Sequence, residues 1–286
     1  MSVVEVNLLR GSETRRARWP APLVILSFII IGLGFAAAIL SPVLLPHAEQ
    51  QNLLTGITKP SWHHLLGTDQ LGRDVLSLLI AGARTSVLGP LEIAIGSMVI
   101  GNIIGLISGY YGGWIEGVAM RWVDLMFSLP ALLVAIVVTG IAGSTYSVAI
   151  FVLIILFAPS DARVVRGAVL DQRHRPYVEA ARLSNLSAPR IMTLHLWPNV
   201  APIALANGFL DFAFALVSLA SLSFLGLGVG PGSPDWGRTL SNNTSLLQSN
   251  PWAAVAPGLA IILTAAAMNV LGDWAYERLQ ARGLER

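Results

Sequence analysis

Residues 177–202 read YVEAARLSNLSAPRIMTLHLWPNVAP, a polar, arginine-bearing and proline-punctuated stretch between two long apolar runs. Its local chemistry predicts two short helices that meet at a corner. Pro176 suits a first helical turn, where its missing N–H would have no partner anyway. Glu179 lies in the same turn, favoured by the helix dipole. Ala180 and Ala181 follow, small enough for another surface to approach the backbone. Asn185 tolerates positive φ and is the expected left-handed terminator. Ser187 can cap a second helix with Pro189 in its first turn. Pro198 and Pro202 are expected to break or kink the chain where the next apolar run begins. On these grounds alone the stretch is either a solvated loop carrying basic residues or a docking element, and capping chemistry does not separate the two.

The runs on either side make this an integral membrane protein. The 286 residues are 54% hydrophobic and only 12% charged, with a mean hydropathy of +0.67. That is too little charge to wet the surface of a soluble domain of this size. Runs of about 20 apolar residues cross a hydrocarbon core, and six are expected, at 21–45, 87–108, 118–142, 145–160, 200–225 and 252–274. All are read as helices, because an open strand in lipid would leave backbone groups unpaired. The first run exceeds the core of about 7–15 residues in a secretory signal, so it is read as a retained span despite Arg15 and Arg16 ahead of it. The absence of cysteine excludes disulfides, thiolate metal sites and cysteine nucleophiles.

Orientation follows from the basic residues. With the N-terminus inside, the inner side holds Arg10, Arg15, Arg16, Arg18, Arg121, Arg163, Arg166, Arg173, Arg175, Arg182, Arg190, Arg278, Arg282 and Arg286. The outer side holds Lys59, Arg73, Arg84 and Arg238, a ratio of 14 to 4 that places both termini in the cytoplasm. The expected organisation is a cytoplasmic segment 1–20, a first span 21–45, an extracytoplasmic loop 46–86 and a five-helix core 87–275. A cytoplasmic loop 161–199 interrupts that core, and a cytoplasmic tail 276–286 follows it. Residues 74–86 are expected as a short helix against the outer surface. Residues 226–251, rich in Gly, Pro, Asn and Ser, form the last outer loop, and Asp273 with Arg278 is expected to end the sixth span.

The stretch at 177–202 also resembles the permease signature of bacterial ABC importers, which reads Glu-Ala-Ala, three residues, Gly, nine residues, Ile-x-Leu-Pro. Glu179, Ala180, Ala181 and Pro198 match at that spacing, while Asn185 stands for the glycine, His195 for the isoleucine and Trp197 for the leucine. Further blocks resemble the dipeptide, oligopeptide and nickel importer group: HHLLGTDQLGRDVLSLLIAGARTS at 63–86, GYYGGW at 109–114, SLSFLGLGVGPGSPDWG at 221–237 and PWAAVAPGLAIILTAAAMNVLGD at 251–273. The likeness is to the C-type permease of that group, with Leu219 where many relatives carry glutamate. It implies an all-α type I ABC importer permease fold with a cytoplasmic coupling helix that docks into an ATPase subunit. Glu179, Ala180, Ala181, Asn185 and Pro198 would form that element, with Arg175, Arg182 and Arg173 orienting the contact. It further implies a bacterial cytoplasmic membrane and a second, homologous permease subunit in a heterodimer. Two ATPase subunits, or a fused ATPase, would carry ATP and Mg, and an extracytoplasmic substrate-binding protein would dock on the outer loops. Short peptides are the leading substrates, with nickel chelate, haem and glutathione as alternatives.

Several chemistries are excluded by the residues themselves. A phosphate loop needs a lysine, and the single lysine, Lys59, precedes Pro60 in an outer loop, so ATP hydrolysis belongs to partner chains and no cofactor is expected here. The glycines at 226, 228 and 230 follow a span rather than a buried strand, which does not suit a dinucleotide. All five histidines, including the adjacent His63 and His64, fall in loops, so an intramembrane serine protease and a metal site are not expected, nor is nucleic acid a partner. No catalytic residue is expected. The rival class is a gradient-driven secondary transporter, although no internal repeat is visible. Intramembrane acids are suspects for function. Asp211 either lines a pathway, with Ser218 and Ser221, or pairs with a polar group of a partner. Asp124 is expected to pair with Arg121 at i, i+3 spacing, and Glu92 to reach water near the outer interface.

Overall fold

The computed structural model describes residues 21–230 and 232–284; the expected segment 1–20, with Arg10, Arg15, Arg16 and Arg18, lies outside the described residues, as does Arg286. Nine helices follow in order: α1 Ala21–Leu44, α2 Val75–Tyr111, α3 Gly113–Phe127, α4 Ala131–Ala142, α5 Tyr146–Gln172, α6 Pro176–Leu183, α7 Ala188–Phe224, α8 Trp236–Asn242 and α9 Trp252–Leu284. A single isolated bridge, Thr68 to Asp74, is the only extended pairing among the described residues.

Five helices, α1, α2, α5, α7 and α9, are each long and apolar enough to cross a membrane. The sixth crossing corrects the expected straight span at 118–142. It is two helices, α3 and α4, bent by 84°. Pro130 has no N–H to continue the ladder and disfavours the helical region for Leu129. The pair nevertheless runs along α5 from its second half back to its start. Glu116 and Asp124 of α3 pair with Arg166 and Arg163 in the second half of α5, while Val134, Val138 and Ala142 of α4 share a groove with Ser147, Val148 and Phe151 at its start.

Other boundaries move as well. The expected surface helix at 74–86 is the first part of α2, so the loop preceding it ends at Asp74, whose side chain caps the helix by accepting from Ser77 N–H at 2.8 Å. Helix α5 continues to Gln172, well past the expected end at 160. Pro198 does not break the chain. The helix widens into a π turn over Met192–Leu196, where Trp197 N–H reaches back to Met192 O, and α geometry then resumes. Helix α9 runs on past Asp273 and Arg278, and Arg278 lies over the Trp274 ring. Ser187 occupies the N-cap position of α7 without a side-chain capping bond.

Helices α2 and α5 run parallel and touch along small residues. A Cβ on Gly101, Gly105 or Gly109, four residues apart, would strike Asp161, Val165 or Val169 respectively. Small residues let membrane helices pack backbone to backbone where no hydrophobic effect draws them together. Helix α7 lies against the same bundle, with Phe212 and Leu216 packed among Val87, Ala94, Met268 and Leu271. Leu219 is 1% exposed and sits with Ile93, Leu153 and Leu222. It is core, turned away from any open face.

At one end of the bundle α8 is seated by Asp235, which accepts from Arg238 N–H at 3.0 Å and from the Ser86 hydroxyl at 3.1 Å. Trp236 N–H donates to Ser86 Oγ, and its indole donates to Leu79 O. Burial drives the Asp235 carboxyl above the usual carboxylate range and outweighs the donors that oppose it. The Asn250 amide donates to Leu66 O and Thr68 O, joining the connection before α2 to the one before α9. The opposite end carries α6.

Candidate functional site: the α6 docking face and the open face of α7

Helix α6 is anchored by two residues one turn apart. Val178 and Ala181 are buried among Val165 and Val169 of α5 and Ile191, Leu196 and Val200 of α7, with Leu106, Tyr110 and Trp197 around the edge. The corner after α6 is a Schellman turn. Asn185 has φ 56°, Asn185 N–H bonds Arg182 O, and Leu186 N–H bonds Ala181 O. The expected left-handed asparagine is therefore in place. Trp197, which stands where the resembling signature has leucine, packs against this cluster and fills it.

Two cations reach the end of α2. Arg182 of α6 lies over the Tyr110 ring at 5.1 Å, and Arg173, just after α5, donates to Gly109 O at 3.1 Å. Arg182 thus ties α6 to α2 as well as to α5 and α7, while Arg173 ties α5 to α2. Tyr177 donates to Gln172 Oε1 at 2.8 Å, and partial burial raises its phenol above its ordinary value.

The opposite face of α6 is bare. Arg175, Glu179, Ala180 and Arg182 are exposed, and Leu183 is 84% exposed. Glu179 makes no ion pair among the described residues. The two alanines divide: Ala180 leaves the outer surface flat beside Glu179, whereas Ala181 roots the helix. Pro198 is exposed near the same end. Sequence reasoning missed Leu183, although its place four residues after Glu179 puts both on one face. An exposed acid, a flat alanine and an exposed leucine, with Arg175 and Arg182 beside them, make a mixed apolar and charged surface. The face offers no catalytic arrangement.

The second region lies on α7. Leu210, Phe214, Val217, Ser221, Phe224 and Leu225 form an uncovered stripe along the helix. Ser221 borders a cavity of about 370 Å³ shared with Gly237 and Leu240 of α8, and its hydroxyl donates to Val217 O at 2.7 Å. Ser218 is half-buried beside the stripe. Asp211 is different: it is 6% exposed and turned into the subunit, where Asn207 donates to it and to Asp161. Its edge reaches a cavity of about 260 Å³ behind the α3–α4 elbow. Asp161 had been placed in a loop; it is a buried acid of α5. Asp124 pairs with Arg163 at 2.5 Å and not with Arg121, because the elbow turns that face of α3 towards α5. Glu92 is exposed halfway along α2. His64 bonds Asp74 through Nδ1 at 3.0 Å, and no group of three or more metal-ligating side chains occurs among the described residues.

Comparison with known proteins bears on the family and the fold. Residues 101–283 match the family described as binding-protein-dependent transport system inner membrane component. The dipeptide transport system permease protein DppC of Alkalihalophilus pseudofirmus is 34% identical over 262 residues, which span 91% of this chain and 86% of that protein. The glutathione transport system permease protein GsiD of Pectobacterium atrosepticum is 36% identical over 78% of this chain and 74% of its own. A chain of the MetNI methionine ABC transporter in an inward-facing conformation superposes with a TM-score of 0.57 over 71% of this chain and 96% of its own. At 17% identity that likeness is one of fold.

Proposed function

Because the chain belongs to the family of binding-protein-dependent transport system inner membrane components, and is thus a multi-pass permease subunit of an ABC importer, we propose that it passes short peptides through the membrane. The family works with ATPase and substrate-binding partners. In our reading α6 is the element that the ATPase grips. Its bare face carries this reading: Glu179, Ala180 and Leu183 point outward from a helix rooted by Val178 and Ala181.

The α6 end lies in the cytoplasm, in keeping with the arginines gathered there, and the α8 end faces outward. Two ATPase subunits, or one fused chain, hold ATP and Mg. When they close, they carry α6 with them, and α2, α5 and α7 follow because α6 is fixed to all three. A second, homologous permease covers the stripe on α7, and the substrate passes between the two. The binding protein docks on 45–74 and 225–251, which are joined through Asn250. The names of relatives support peptides, and the likeness to a glutathione permease favours glutathione, itself peptide-like, as a second reading.

The test is uptake of labelled di- and tripeptides and of glutathione by proteoliposomes that hold the complete transporter with its binding protein. Uptake is expected to require ATP inside and to favour one of these peptides over nickel chelates and haem. Uptake driven by a proton gradient without ATP would contradict the reading.

A further inference from the structure

Helices α5 and α7 are the two arms of the α6 loop, one leading in and the other leading out. They meet at Asp161, Asn207 and Asp211. Asn207 Nδ2 donates to Asp161 Oδ1 at 2.8 Å and to Asp211 Oδ2 at 3.2 Å. Asp161 is fully buried, and its Oδ2 has no hydrogen-bond partner. The cluster lies inside the bundle, where Gly101 of α2, within the apolar stretch 87–108, packs on Asp161.

Among the described residues no basic side chain of the packed helices pairs with this cluster, Arg121 of α3 being exposed. Neither acid makes an ion pair among the described residues. On α5 itself, Arg163 and Arg166 are turned to Asp124 and Glu116 of α3. Helix α2 has no ionisable side chain between Glu92 and Tyr110, and α7 has none but Asp211 beyond His195. Helices α1 and α4, and α9 as far as Gly272, contribute none. Two carboxylates on one amide, largely withdrawn from water and without a paired cation, cannot both ionise at a tolerable cost. The orphaned Oδ2 lacks one donor. A single proton supplies that donor and cancels one of the two charges.

We propose that Asp161 and Asp211 form a proton site, in which one proton held between the two carboxyl groups beside Asn207 clasps α5 to α7 and makes the arms of the loop move as one lever. The proposal rests on α6 as the coupling element. With the proton in place, a displacement of α6 passes to both arms together. Without it, two like charges push the arms apart inside the bundle, and movement of the loop is lost in their separation.

Thermal melting of the complete purified transporter at pH 7 and pH 10 tests the clasp. Wild type is compared with Asp161→Asn and Asp211→Asn, each of which keeps the side-chain shape, supplies a donor and leaves one carboxyl with no like-charged neighbour. The wild-type melting temperature is expected to fall by about 3 °C more between the two pH values than that of either variant. Equal shifts in all three would overturn the proposal. Should the single variants fail to assemble, the infrared carboxylic-acid band decides on the wild type, taken at pH 7 as a difference against the isosteric double variant. The band supports the proposal, and its absence overturns it. ATP-driven peptide uptake, measured on the same wild-type samples, judges the functional reading separately from the proton site.

Discussion

Asn185 shows how much one residue can decide. Its φ of 56° is the only positive value at a non-glycine position among the described residues, and few side chains reach it cheaply. Asn185→Gly is therefore expected to leave melting within a few tenths of a kcal/mol, whereas Asn185→Val should cost about 1–2 kcal/mol and loosen the corner. Melting of the purified transporter checks both. This residue was legible in the sequence because its backbone preference is intrinsic. The partner of Asp124 was not: Arg121 stood at the right spacing, yet Arg163 takes the acid across the α3–α5 contact. Asp161 was hidden for another reason. Pro159, Asp161 and Arg163 lower the local hydropathy, so the span seems to stop where a buried polar contact begins.

At the scale of elements, hydropathy located the five long helices and the bent α3–α4 pair but misjudged how they are built. It cannot show that α2 extends outward to Val75, because a helix may continue beyond lipid as an amphipathic segment packed on protein. Nor does it reveal the 84° elbow, since a proline in an apolar run can be kinked around or absorbed. Pro198 illustrates the second outcome, absorbed in a π turn. The α2–α5 seam was written in the glycines but became readable only once the two helices were known to be neighbours. It carries a direct prediction. Gly105→Leu should destabilise the subunit by about 3 kcal/mol or more, since the new side chain meets the Ala162 carbonyl and Val165. Gly167→Leu, on the same pair of helices but with open space around it, should be nearly neutral. Recovery of monodisperse protein after detergent extraction separates the two.

For the whole molecule, the proposed coupling rests on how α6 is held. Buried side chains join α6 to α5 and α7, Arg182 joins it to α2, and Arg175, Glu179, Ala180 and Leu183 stay uncovered. The corner of this segment was readable from its residues, and the motif singled out Glu179 and Ala180, which lie exposed. Leu183 and the inward turn of Ala181 were not, because which side of a short helix is covered depends on what packs beneath it. The most direct measurement is of ATP hydrolysis and peptide uptake in the same proteoliposomes, for wild type and for Glu179→Arg and Leu183→Asp. The account predicts that uptake per ATP falls at least about tenfold in both variants, equivalent to about 1.4 kcal/mol of lost coupling, while the subunit still folds and melts as wild type. Unchanged uptake per ATP in both variants would contradict it.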